Sequence, residues 1–200
     1  MRLEDVTFVA VDLETTGLDF KRDEIIAFAG IPIREMKIRM GEASYLTIRP
    51  ERYRMDGMKY HGISADDLKR SPCFADVADH IVTVLDGILV GYCVEVDYRF
   101  LQRFLRKSGR PFRRKTVDIA VLEKWIIDRH GRRRTGEDLS FDALLKRYGL
   151  KEYYRHNAMA DAFFSAQIFQ IQAMKYNIGT MEKLTEILRV CSADECAIML

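Results

Sequence analysis

From Thr7 to Leu13 the chain reads as a near-continuous β-favouring run that ends at a Thr-Thr-Gly turn signal. Such a run predicts a central strand covered on both faces. Two further strand patterns follow, Glu24 to Ile33 and Ala43 to Arg49, and the short links between them predict an antiparallel meander, closed by Pro50. Beyond Pro50 the period changes. Helical spacing covers Ala65 to Lys69 and Phe74 to Leu85, a strand covers Ile88 to Tyr92, and a helix runs from Val96 to Lys107. This alternation predicts parallel additions to the sheet. Thr116 and Val117 finish another short strand, with Asp118 placed to cap a helix through Lys124. Ser140 to Tyr148 places Phe141, Leu144, Leu145 and Tyr148 on one face, and Gly149 stops it. The longest helix, Ala158 to Tyr176, carries a broad stripe of Phe163, Phe164, Ile168, Phe169 and Ile171. Gly179 marks the end of a main domain, 1–178, followed by a short helix through Val190 and an apolar end, 179–200.

Composition narrows this α/β reading. With 48% hydrophobic and 10% aromatic residues the chain can build a core, which excludes disorder as a description of the whole. At this length folding buries roughly 70% of the unfolded chain's surface, so any metal would be there for chemistry and not to hold the fold together. The longest apolar runs, such as Ile25 to Ala29 and Ile88 to Val90, fall far short of the roughly 20 residues of a membrane span. Acids at Glu4 and Asp5 stand where a secretory signal would be basic. The expectation is a soluble cytoplasmic protein with no membrane partner, its Cys73, Cys93, Cys191 and Cys196 reduced and used as small core residues.

The acids carry the candidate chemistry. Asp12 and Glu14 lie two apart at the end of the first strand, so both carboxylates face one side of the sheet. They repel unless a cation lies between them. Thr15, Thr16 and Gly17 follow at once, in a turn able to bring backbone N–H groups close to a ligand. Asp97 lies at the front of the Val96 helix, where an acid also complements the helix dipole; Asp118 keeps that capping role alone. Asp161 sits early in the longest helix among Ala158, Met159, Ala160, Ala162 and Phe163, an environment in which a carboxylate needs partners. His156 precedes Asp161 by five residues, which on one continuous helix would set them about 140° apart. The two can share a site only if His156 stands in the loop before the helix, with Asn157 as N-cap.

Taken together, these residues resemble the DEDDh 3′-to-5′ exonucleases, the family typified by the proofreading epsilon subunit of bacterial replicative DNA polymerase III and including RNase T and oligoribonuclease. The first motif is similar to Val11 to Asp19, the second to Leu89 to Leu101, and the third to His156 to Ala162, with supporting similarity at Tyr60 to Ser64 and Phe141 to Leu145. The resemblance spans about Thr7 to Met174. It implies a ribonuclease-H-like mixed sheet flanked by helices and a two-metal phosphodiesterase, with Asp12, Glu14, Asp97 and Asp161 as ligands and His156 as general base. It also implies substrate contacts at Thr15, Thr16, Gly17, Leu18, His61 and Tyr92, with Thr16 meeting the terminal nucleotide through backbone groups and Leu18 as an apolar wedge. Where the family usually shows a His-Asn pair and a Phe before the third acid, this chain has Tyr92-Cys93 and Glu95-Val96.

Four hard oxygen donors without a thiolate suit Mg²⁺ or Mn²⁺ better than Zn²⁺, and two such ions fit in-line displacement on a phosphodiester. The implied activity is release of 5′-nucleoside monophosphates from single-stranded 3′ ends, DNA favoured over RNA, in proofreading or repair, with a DNA polymerase as a possible partner. An exoribonuclease of the same chemistry and an inactive nucleic-acid or protein-binding module are the alternatives. The net charge of +2 argues on its face against a polyanion binder, but it conceals segregated populations. Between Tyr98 and Val117 stand Arg99, Arg103, Arg106, Lys107, Arg110, Arg113, Arg114 and Lys115 with no acid, and Arg129, Arg132, Arg133 and Arg134 form a second cluster. The first run is expected to line or approach the path of a phosphate backbone.

Overall fold

The computed structural model describes residues 1–53, 62–129, 138–151 and 156–191. The strands are β1 (Phe8–Thr15), β2 (Ile25–Arg34), β3 (Lys37–Ile38), β4 (Ser44–Thr47), β5 (Ile88–Gly91) and β6 (Thr116–Asp118). The helices are α1 (Ala65–Leu68), α2 (Phe74–Val84), α3 (Val94–Lys107), α4 (Ile119–Arg129), α5 (Phe141–Arg147), α6 (Ala158–Lys175) and α7 (Met181–Cys191). Among the described residues they form one mixed sheet, β3-β2-β1-β5-β6, with β4 also paired to β2. The meander is antiparallel and β5 and β6 add in parallel, as the periodicity predicts. A hairpin absent from the sequence reading joins β2 to β3. Its central residues, Glu35 and Met36, have φ of 53° and 56°, the paired left-handed geometry that matches strand twist but is normally signalled by Gly or Asn.

The two faces of the sheet bury separate cores. Phe8 and Ala10 of β1 face α4, α5 and α6 with Ile119, Leu122, Leu144, Ala162 and Phe169, and the Phe8 and Phe169 rings lie 4.9 Å apart. Val9 and Val11 face the other way, onto α2 and α3 with Ile81, Phe100 and Leu101. Met181, Leu184 and Ile187 of α7 enter the first core, and the N-terminal segment ties to it through Leu3 N to Gly179 O at 3.0 Å. Two helices run longer than their sequence signals. α3 starts at Val94 because Cys93, at φ 50°, turns the chain and the Asp118 carboxylate accepts from Val94 N at 3.1 Å. α4 continues to Arg129 because Ile126 is buried and Trp125 packs on the core. Among the described residues no helix is long and apolar enough to cross a membrane. Cys73 and Cys93 are half-buried and in no disulfide among the described residues; Cys196 and the side chain of Cys191 lie outside the described residues.

Candidate active site

The even-numbered positions of β1 face α6, and at the end of the strand that side carries Asp12 and Glu14, opposite the small Ala29 and Ala27 of β2. Ladder register shifts directly after Glu14, so Thr15 pairs with Ile25. Such a bulge re-aims the chain at a sheet rim. The turn beyond it is rigid. Thr16 is buried; its hydroxyl donates to Asp23 Oδ1 at 2.9 Å and accepts from Glu24 N, while its own N–H donates to Glu24 O. Asp19 N donates to Asp23 Oδ2 at 2.8 Å. Gly17 belongs here because a Cβ would come within 2.5 Å of Asp23 Oδ2. The backbone N–H of Thr16, expected to meet substrate, is therefore committed to the fold. Thr15 turns its hydroxyl to Gly17 O, and Leu18, 65% exposed, presents its side chain to solvent.

Asp97 occupies the first turn of α3 and is only 8% exposed. Burial pushes its carboxyl well above the ordinary carboxylate range. Backbone hydrogen bonds at Leu13 and at Asp97 itself oppose this, while the charges of Glu14 and Asp118 raise it further. Asp118, at the end of β6, keeps its capping role and doubles it. Oδ1 accepts from Ala120 N at 2.8 Å to cap α4, and Oδ2 accepts from Val94 N to cap α3. Burial raises its pKa and those backbone donors lower it. Asp161 lies in the first turn of α6, 8% exposed, and accepts from His156 N at 3.3 Å. His156 stands outside the helix with φ 58°, exposed, next to Asn157, which caps α6 through Ala160 N at 3.2 Å. Its loop position is the one that sharing a site with Asp161 requires.

The carboxylates suit a hard cation by type, and Asp97 is buried with the like charges of Glu14 and Asp118 acting on it. Among the described residues no three His, Cys, Asp or Glu side chains are already gathered as a metal cluster. Tyr92 is half-buried beside the site, its ring 5.1 Å from Phe141, and burial pushes its hydroxyl up to about 12. His61 and Arg132 to Arg134 lie outside the described residues.

Several residues of the site region carry no motif. Tyr45 of β4 shares Ala29 as a cross-strand neighbour with Asp12, and its pKa is raised by burial and by the Glu14 charge, which places it at the rim on the acidic face. Arg103 donates to the carbonyls of Phe20 and Asp23 and pins the turn from α3. The basic run thus divides by role. Arg110 pairs with Asp79, Arg114 donates to Leu85 O and reaches Asp86, and Arg99 stacks 4.0 Å over Phe20.

The family model of the RNase T exonucleases matches residues 9–169. The chain is 30% identical over 188 residues to the PolC-type DNA polymerase III of Thermotoga petrophila, covering 92% of this chain and 13% of that protein. It is 28% identical over 195 residues to the DNA polymerase III epsilon subunit of Aquifex aeolicus, covering 92% of this chain and 91% of that protein. The chain thus spans about an eighth of the PolC-type relative. The solved zinc-bound complex of E. coli exonuclease I with single-stranded DNA superposes with a TM-score of 0.74 at 17% identity, over 93% of this chain and 43% of that chain, which is a likeness of fold.

Proposed function

The chain belongs to the RNase T exonuclease family, and from that premise we propose that it removes nucleotides from free 3′ ends as 5′-nucleoside monophosphates, with DNA favoured over RNA. The observation that carries this is the carboxylate of Asp97, buried in the first turn of α3 with the charge of Glu14, at the end of β1, acting on it. Asp12, Glu14, Asp97 and Asp161 hold two divalent cations, Mg²⁺ or Mn²⁺. When bound, such ions activate water and stabilise the leaving oxygen of an in-line displacement. His156 takes the proton from the attacking water, a task suited to an imidazole at neutral pH. Its backbone N–H on Asp161 couples its loop to the site. Leu18 packs on the terminal base, Thr15 and Gly17 shape the turn beneath it, and Tyr92 and His61 complete the substrate wall.

The epsilon-subunit and PolC relatives support DNA as substrate, a polymerase as partner and cytoplasmic work in replication. The test compares single-stranded DNA, a mismatched duplex and RNA oligomers with Mg²⁺ or Mn²⁺. Stepwise mononucleotide release from the 3′ end, faster on DNA, is expected. No release from any substrate would overturn the reading, and faster release from RNA would reassign the substrate.

A further inference from the structure

On the other side of the turn that follows Glu14 lies a cleft of about 630 Å³, bounded by the start of β2, residues 48–52, the front of α2 and the last turns of α3. Its walls carry Lys21, Arg22, Arg49, Arg52, Arg103 and Lys107 against the acids Glu24 and Glu51. The Glu24 carboxylate is already used by the backbone, accepting from Glu51 N at 2.8 Å and Arg52 N at 3.0 Å. Arg22 reaches Asp19 at 3.8 Å. Among the described residues, Lys21, Arg49, Arg52, Arg103 and Lys107 have no carboxylate at salt-bridge distance. A concave row in which six cations outnumber two acids is complementary to a polyanion.

We propose that this cleft holds the phosphodiester backbone of the strand upstream of its reacting 3′ end; the proposal rests on the exonuclease reading of the acidic site. Two features join cleft and site. Arg103 lines the cleft while gripping Phe20 O and Asp23 O, so the turn leaving Glu14 forms a shared wall. Asp97 lies on the same helix as Arg103 and Lys107, six and ten residues earlier, or about 9 and 15 Å at 1.5 Å per residue. With a strand charge about every 3.4 Å, a stacked strand leaving the site enters the cleft after roughly three to four nucleotides. The cations of the cleft come largely from the loops at 21–22 and 49–52, and only Arg103 and Lys107 come from the basic run of α3.

The experiment uses the full chain with Lys21→Glu, Arg22→Glu and Lys107→Glu combined, all exposed positions. Its charge-matched control is Lys37→Glu, Lys175→Glu and Lys183→Glu, at the opposite end of the sheet and its helices. Anisotropy of a labelled oligothymidylate of about a dozen nucleotides, without divalent metal, gives affinity against salt. The cleft variant should bind roughly tenfold or more weakly at low salt and flatten the log–log slope by about 2, at about 0.7 per lost phosphate contact on a single strand. The control should keep the wild-type slope. With Mg²⁺ present, the wild type should release nucleotides more efficiently from strands longer than about four nucleotides, and the cleft variant should lose that preference. A wild-type slope and length preference in the cleft variant, or an equal loss in the control, would overturn the proposal. A wild type that binds the oligomer in this cleft but releases no nucleotide would overturn the exonuclease reading alone.

Discussion

Asp97 and Glu123 are both buried acids, 8% and 1% exposed, and their surroundings are opposite. Glu123, on α4, accepts from Arg147 Nη1 at 2.9 Å, from the Tyr148 hydroxyl and from Gln172 Nε2 at 2.8 Å, so donors of α5 and α6 satisfy both oxygens. Asp97 has Glu14 and Asp118 as neighbouring charges. A buried carboxylate given a cation and donors is a clasp between helices. One set among other carboxylates is costly to the fold and is suited to a ligand that brings positive charge.

Replacing the poised acids should have the largest effect and should separate activity from stability. Asp161→Asn and Asp97→Asn should lower nucleotide release by about 10³-fold or more, since losing one preorganised electrostatic contact alone costs about 10²–10³. Without metal, Asp97→Asn should melt at or above the wild-type temperature, because it removes a buried charge from like neighbours. A clear drop in its melting temperature would break the contrast with Glu123. His156→Ala should cost about 10²–10⁴ in turnover, the usual worth of a general base, and full activity would move the base elsewhere. On the Glu123 side the effects should reverse. Arg147→Ala should destabilise the protein in urea by about 1–3 kcal/mol, as expected when a buried charged acceptor loses a donor, while the folded fraction keeps its activity.

The smallest effect concerns pH. The Tyr92 hydroxyl is raised from 10.0 to about 12 by burial, then by Cys93 and Asp118. Above pH 10 the unfolded chain therefore binds fewer protons at this residue than the folded one. Its contribution is fully present below pH 10 and is lost as pH rises towards 12. Tyr92→Phe should make the alkaline fall of the melting temperature shallower. An unchanged profile would show that burial at Tyr92 does not hold its phenol protonated.

The acidic end of β1 was legible because a strand buried on both faces closes on two acids, while Asp97 stands at the front of its helix and Asp161 early in a helix with a broad apolar stripe. The β2–β3 hairpin was not, because Glu35 and Met36 give no turn signal for the left-handed geometry they adopt. Residues that act across the chain were hidden for another reason. Arg103 meets Phe20 and Asp23 from 83 and 80 residues away, and Tyr45 reaches the site through β2. Glu123 could have been noticed as a charge between the buried Leu122 and Ile126, but its partners come from α5 and α6. The motif at Asp118 showed one cap, and packing added the second.

Thermal melting under Mn²⁺ titration tests, without any nuclease assay, the proposal that Asp12, Glu14, Asp97 and Asp161 together form a divalent-cation site. A ligand that binds only the folded state stabilises it by about 2.7 kcal/mol at a hundredfold excess over Kd. The wild type should therefore melt progressively higher with Mn²⁺, and Asp161→Asn should respond much less. Melting temperatures that do not move with Mn²⁺, or that rise equally in Asp161→Asn, would contradict it.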